Sequence, residues 1–270
     1  MFSYIGSGIS MDESKLDRTN IQINTHLPVY ITMSTIPSRM KNTLRIIKNF
    51  MEHVRGFEKL ILNVPYRYNR WPEMHNIDIS HDILDGRFMI NRTKDYGPLT
   101  KFLPVIEDNL VPQNAILIVC DDMCYKLDAF RDIATIQDRH IYDSFSYYVY
   151  PFNLNKGYDV YVPQGADLIS MYTNNVLGFP AWFQELKNKL GVKSYFESPC
   201  FFVDDQVIGW YMQYMNIPMR QVERKHRNIY IKDCDKSKES DNLNKQTGSR
   251  SRVNTMNGCY RDISKIFPLN

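Results

Sequence analysis

Two acidic pairs, each closing an apolar run, are the residues best placed to do chemistry: Asp121-Asp122 after Ala115-Ile-Leu-Ile-Val-Cys120, and Asp204-Asp205 after Phe201-Phe-Val203. A short β-branched run that stops at charge reads as a buried strand, and the carboxyl ends of such strands are where α/β proteins collect ligands. Carboxylates there cost desolvation energy. They are kept to bind cations, to move protons or to cap helices. Capping is the structural alternative for both pairs, and more so for Asp204 and Asp205, which stand where a helix begins.

The elements that must position these acids alternate between strand and helix patterns, which predicts a mainly parallel sheet. Val29–Met33 is a first strand and Ser34–Ser38 its loop. Met40, Leu44, Ile47, Met51 and Val54 then recur at helical spacing. Leu60–Val64 is a second strand, stopped by Pro65. Arg92–Lys101 is turn chemistry, leading through Phe102, Val105 and Ile106 into the strand that ends at Asp121. Tyr147–Val162 suggests antiparallel strands before a loop at Gln164–Asp167. Trp182, Phe183, Leu186 and Leu190 suggest one helix, and Val207, Tyr211 and Met215 another that starts just after Asp205. Ile231–Arg252 is almost wholly polar and predicts a mobile loop, read either as a solvated excursion or as a lid.

With 270 residues, 43% hydrophobic and 23% charged, the chain can bury a large core. Lys+Arg 33 against Asp+Glu 30 leaves a net charge of +3, too little to predict a nucleic-acid or anionic-membrane partner. The five cysteines match neither a zinc spacing nor a dense disulfide framework, which points to a reducing, cytoplasmic setting. Met1–Leu27 has no apolar signal core, and no later stretch reads as a transmembrane segment.

Five pieces occur in order: Thr35-Ile-Pro-Ser-Arg39, Leu62-Asn-Val-Pro65, Asp95-Tyr-Gly-Pro-Leu-Thr-Lys101, Cys120-Asp-Asp122 with Tyr125, and Cys200-Phe-Phe-Val-Asp-Asp205 with Ile208-Gly209. Together, over roughly residues 29 to 230, they resemble a family of GT-A-fold glycosyltransferases found in bacteria and large DNA viruses. The resemblance implies an α/β fold of GT-A type. Its mostly parallel central sheet would be flanked by helices, with a Rossmann-like nucleotide-binding half and a smaller mixed acceptor side. It divides the chain into a leader (1–28) and one catalytic domain (29–270), whose parts are a donor half (29–125), an acceptor half (126–230) and a loop and tail (231–270).

The implied activity is transfer of a sugar from a UDP- or GDP-sugar to a hydroxyl of a glycan or glycoconjugate, assisted by a divalent cation, Mn²⁺ or Mg²⁺. By position Asp205, beside Asp204, is the general base of an inverting reaction. In the family an Asp-x-Asp motif ends the central strand, and here Cys120 replaces its first acid. Asp122 keeps the metal-facing place, Asp121 meets ribose or sugar hydroxyls, and a late His226 completes the metal shell. In the nucleotide cradle Gly97 allows close approach, Tyr96 offers a ring and Lys101 a point charge, with Asp95 opening the turn. The plainer reading is a Gly-Pro turn with a surface lysine. Thr35 and Arg39 meet the nucleotide side; Gly165 and Asp167, with Ser170, line the acceptor side. His226 reads equally as a solvated residue in a basic run. Two other functions fit the same acids: a nucleotidyltransferase-like nucleotide-sugar enzyme, which would want a glycine-rich loop after the first strand, and a catalytically inactive sugar-binding relative.

Overall fold

The apolar run Val29–Ser34 forms strand β1, and its neighbours in space are the two other runs of the same character. The computed structural model describes residues 13–69, 71–75, 86–153, 159–163, 168–222, 229–231, 234 and 252–269. Its main sheet has seven strands: β1, β2 (Lys59–Pro65), β3 (Phe88–Thr93), β4 (Ile116–Cys120), β5 (Ser144–Ser146), β6 (Ile169–Tyr172) and β7 (Met219–Gln221). They lie side by side in the order β7-β5-β6-β4-β1-β2-β3. Only β6 runs against its neighbours β4 and β5; the other pairings are parallel. The protein is therefore α/β, with a mostly parallel sheet whose first four strands take the 3-2-1-4 order of doubly wound folds. That order reverses between β1 and β4. The carboxyl ends of those two paired strands are the place where such sheets commonly hold ligands.

Helices cover both faces, and the period of two within each strand decides which residue meets which helix. Ile116, Ile118 and Cys120 join Ile31, Met33, Leu60 and Leu62 in a core closed by α1 (Met40–His53) and α3 (Asp128–Arg139). Leu117 and Val119 belong to the opposite core, with Ile61, Ile169 and Met171. That face is closed by α2 (Leu103–Glu107), α4 (Phe179–Lys189), α5 (Asp204–Tyr214) and α6 (Arg252–Ile266). Helix α5 is buried almost all round, from Asp204 to Met212, which explains its weak amphipathic pattern. The antiparallel hairpin of Val149–Asn153 and Asp159–Pro163, expected from the Tyr- and Val-rich run, packs against it.

Four strands of the main sheet, β3, β5, β6 and β7, escape the sequence pattern. Phe88–Thr93 at the sheet edge has only intermediate burial up to Thr93, while β6 and β7 are four and three residues long. Most of the loop expected over Ile231–Arg252 lies outside the described residues; the tail after it forms helix α6, whose Cys259 and Ile263, with neighbouring Phe267, are buried in the main core. Within the expected leader, residues 13–28 are bonded to the rest of the protein. Ile21–Gln22 pairs with Val54–Arg55, Asp17 accepts the Leu127 amide at 2.8 Å, and the His26 and Leu27 amides both bond Asp138 at 3.0 Å.

The cysteine reading is also corrected. Cys124 is bonded to Cys234 and Cys200 to Cys259, leaving only Cys120 free, buried within β4. Pairing four of five removes the ground on which a reducing setting was expected. These bridges span 110 and 59 residues. Cross-links of that length stabilise by restricting the unfolded chain. Replacing Cys200 and Cys259 together by Ser should cost about 3 kcal/mol. The measurement is chemical denaturation against the parent under oxidising conditions; an unchanged midpoint would show that the bridge does no stabilising. No helix among the described residues is long and apolar enough to cross a membrane.

Candidate functional site

At the strand reversal the pleat separates two neighbouring acids. Asp121 follows Val119 onto the α5 face, and Asp122 follows Cys120 onto the α1 face. Each then meets a different cation. Asp122, 7% exposed, accepts the Thr35 hydroxyl on Oδ2 at 2.6 Å and the Arg39 guanidinium on Oδ1 at 3.0 Å. Thr35 is itself supported from below: its hydroxyl lies 2.7 Å from that of Thr43, and its carbonyl accepts the Tyr68 hydroxyl at 3.1 Å. Each oxygen of Asp122 thus accepts one hydrogen bond.

On the other face Lys101 is the centre. Its side chain is 5% exposed, and its Nζ lies 2.5 Å from Asp121 Oδ1 and 2.7 Å from Asp204 Oδ2. Burial alone would depress this ammonium, but Asp121, Asp204 and Asp205 outweigh it and hold its pKa well above the usual lysine value. Asp121 is raised as well. Burial and the charges of Asp204 and Asp122 raise its carboxyl above the ordinary range despite the pull of Lys101. Two acids just over eighty positions apart therefore converge on one ammonium. Lys101 is not the exposed point charge that the turn sequence suggests.

The main chain beneath Lys101 is fixed by three buried or half-buried polar residues, of which only Asn63 belongs to a motif and none has a predicted role there. Thr32 donates to the Lys101 carbonyl at 2.6 Å, Asn63 donates to the Thr32 hydroxyl at 2.8 Å, and Asn91 donates to Asn63 at 2.9 Å. A polar residue inside an otherwise apolar parallel strand was the available signal, since it must find partners to be buried. The turn ahead of Lys101 is held by Asp95, which accepts the Gly97 amide at 2.8 Å and the Asn69 amide at 2.6 Å. Tyr96 is 8% exposed, bonds Glu107 at 2.8 Å and packs edge-on against Phe183. Its ring belongs to the core, which corrects its expected place against a nucleotide.

Gly97 does serve a close approach, but to protein. It sits at φ +64°, and a Cβ there would lie 2.4 Å from the Phe201 carbonyl oxygen. The turn carrying Lys101 is thereby seated against the segment that delivers Asp204. We expect Gly97→Ala to cost about 2 kcal/mol, through the left-handed backbone and the displaced Phe201. Thermal unfolding checks it; a loss below a few tenths would mean that the turn relaxes freely.

Asp204 and Asp205 are not the helix caps. Val203 holds the cap position and gives no side-chain cap bond, while both acids lie in the first turn of α5, 6% and 4% exposed. Negative charge there is favoured by the helix dipole. Cys120 is wholly buried, with its Sγ 3.5 Å from the Thr32 carbonyl, and burial raises its thiol far above the usual range, so it is no ligand for a hard cation. Ser170 is buried in β6 and donates to Gln137 at 3.0 Å, so it does not line an acceptor surface. Gly165, Asp167 and His226 lie outside the described residues.

Among the described residues no three His, Cys, Asp or Glu side chains are gathered as a ready metal shell; Lys101 and Arg39 hold the carboxylates in separate pairs. Three carboxylates, Asp121, Asp204 and Asp205, act on a single ammonium. The surplus is two negative charges in a largely buried cluster.

No protein-family model and no curated protein matches the sequence. Among solved structures the chain is similar to the crystal structure of 4-diphosphocytidyl-2C-methyl-D-erythritol synthase from Anaerococcus prevotii DSM 20548, at 12% identity and a TM-score of 0.41, covering 77% of this chain and 95% of that one. A likeness this distant carries no inference about activity.

Proposed function

We propose that the protein is a glycosyltransferase that moves a sugar from a UDP- or GDP-sugar to a hydroxyl of a glycan or glycoconjugate, with inversion. The observation that supports this most is the meeting of Asp121, from the end of β4, with Asp204, from the start of α5, on Lys101 at the sheet's reversal point. It brings the two motifs of the family resemblance to one end of the sheet.

In this reading Asp205 takes the proton of the acceptor hydroxyl while its oxygen attacks the anomeric carbon. The new C–O bond forms as the bond to the diphosphate oxygen breaks, and the nucleoside diphosphate leaves with that electron pair. Arg39, aligned by Asp122, and Lys101 are the cations available to the diphosphate. Asp122, whose oxygens each keep a lone pair beside the Thr35 and Arg39 bonds, and Asp121 and Asp204, joined through Lys101, are the carboxylates that would hold a divalent cation. Such a cation would neutralise charge on the departing diphosphate.

Incubation with Mn²⁺ and a panel of nucleotide sugars tests the reading. Slow hydrolysis of one donor, releasing free sugar and nucleoside diphosphate, is the expected result. Pyrophosphate release from a nucleoside triphosphate and a sugar phosphate would replace it with nucleotidyl transfer. Binding of donors without any turnover would replace it with a sugar-binding module.

A further inference from the structure

We propose that Gln206 is a binding residue for the acceptor: its amide reads the hydroxyls of the acceptor sugar next to the one that attacks, receiving a hydrogen bond on Oε1 and giving one from Nε2. The inference rests on the sugar-transfer reading of Asp205.

Three observations carry it. Gln206 is fully buried, and among the described residues neither its Oε1 nor its Nε2 has a hydrogen-bond partner. Buried side-chain amides are nearly always bonded, because an unmade bond leaves the whole cost of desolvation standing. An orphaned amide one position from the proposed base points to a partner that arrives with substrate. Helix geometry then puts that amide on the side of α5 that Asp205 shares. Successive residues are about 100° apart. Asp204 and Tyr211 face the core, where they meet Lys101 and Phe179, while Trp210 and Tyr214 face α6, where they meet Tyr260 and Phe267. Asp205, Gln206 and Gly209 take the arc that is left, along which the Asp159–Pro163 strand packs. Finally, that strand belongs to a ribbon of two strands which, among the described residues, pairs with no strand of the main sheet. Such ribbons are marginal alone, so this is the side of α5 that opens at least cost. The kind of ligand follows from the amide. An anion would satisfy only the Nε2 donors and leave Oε1 unpaired, whereas neighbouring sugar hydroxyls both give and accept.

Gln206→Met and Gln206→Leu, made in the full chain, decide it. Thermal unfolding without ligand comes first: removing an unpartnered amide should raise the melting temperature by about 3 °C. Saturation-transfer NMR then reads the binding of a panel of methyl glycosides, each with its deoxy counterparts. The wild type should bind at least one glycoside and lose at least about tenfold in affinity when one particular hydroxyl is removed. The stabilised variant should bind the complete glycoside no better than the wild type binds that deoxy form. A melting temperature raised in neither variant overturns the proposal, because the amide is then bonded in solution. So does glycoside affinity unchanged by the substitution, or the absence of glycoside binding to the wild type. The two readings fail separately. Glycoside binding that is lost in the variant, with no turnover of any nucleotide sugar, removes sugar transfer and leaves Gln206 in this role. Donor turnover by the wild type, with a variant that binds glycosides equally well, does the reverse.

Discussion

Asp205→Asn should lower sugar transfer by about a thousandfold, within the range for loss of a general base, while donor binding and melting temperature stay close to the parent's. The amide keeps the shape of the carboxyl group but cannot take the acceptor's proton. Stability is nearly indifferent because Val203, not Asp205, occupies the cap position, so no capping bond is lost. What disappears is one favourable charge in the first turn of α5, worth up to about 1 kcal/mol. Its loss also removes one of the three carboxylates surrounding Lys101, which relieves part of the surplus negative charge. The measurements are initial rates with the donor identified by hydrolysis, donor affinity by calorimetry, and thermal unfolding. Activity falling only in proportion to a large loss of stability would make Asp205 a structural residue of α5 and leave the reaction without its base.

The parts of this architecture that were legible in the sequence are those written as long apolar runs. β1, β2 and β4 are mostly buried, β4 without a break, and α1, α4 and α5 begin within a few residues of where their spacing or flanking motifs put them. β6 and β7 were not legible, because four and three residues are too few to show a period. Helix α6 hid behind a polar stretch, and its place in the core is set by the Cys259 bridge and by Ile263 and Phe267. The site was half readable. That acids end β4 and begin α5 follows from charge after apolar residues. That Asp121 and Asp122 part to opposite faces follows from the pleat, a rule available in the sequence and decisive for which acid meets Asp204. Lys101 could not be placed from its turn alone. A lysine after Gly-Pro reads as solvated, and only the contact of Gly97 with Phe201 brings the turn against α5 and buries the ammonium.

Lys101→Met should cost about 4 kcal/mol near neutral pH, the range for removing one partner of a buried ion pair. Methionine fills much of the volume, so the loss is electrostatic: Asp121, Asp204 and Asp205 remain close together with no cation among them. The sign of its pH dependence follows from Asp121. Burial already raises that carboxyl above its ordinary 3.8, with Asp204 and Asp122 adding to the rise and Lys101 opposing it. A carboxyl raised on folding stabilises the folded state fully below its unfolded value, and that contribution is lost as pH climbs through the raised one. Without Lys101 the raised value moves higher, and the loss extends toward neutrality. Urea titrations should therefore show the wild type and Lys101→Met drawing together as the medium is made acidic and separating as it returns to neutral. Mn²⁺ should restore part of the variant's stability at neutral pH, since a ligand of the folded state stabilises by mass action. A gap that stays constant across this range would mean that the three carboxylates are adequately solvated without the ammonium. Burial of Lys101 would then reflect packing of the turn rather than neutralisation of the acids it joins.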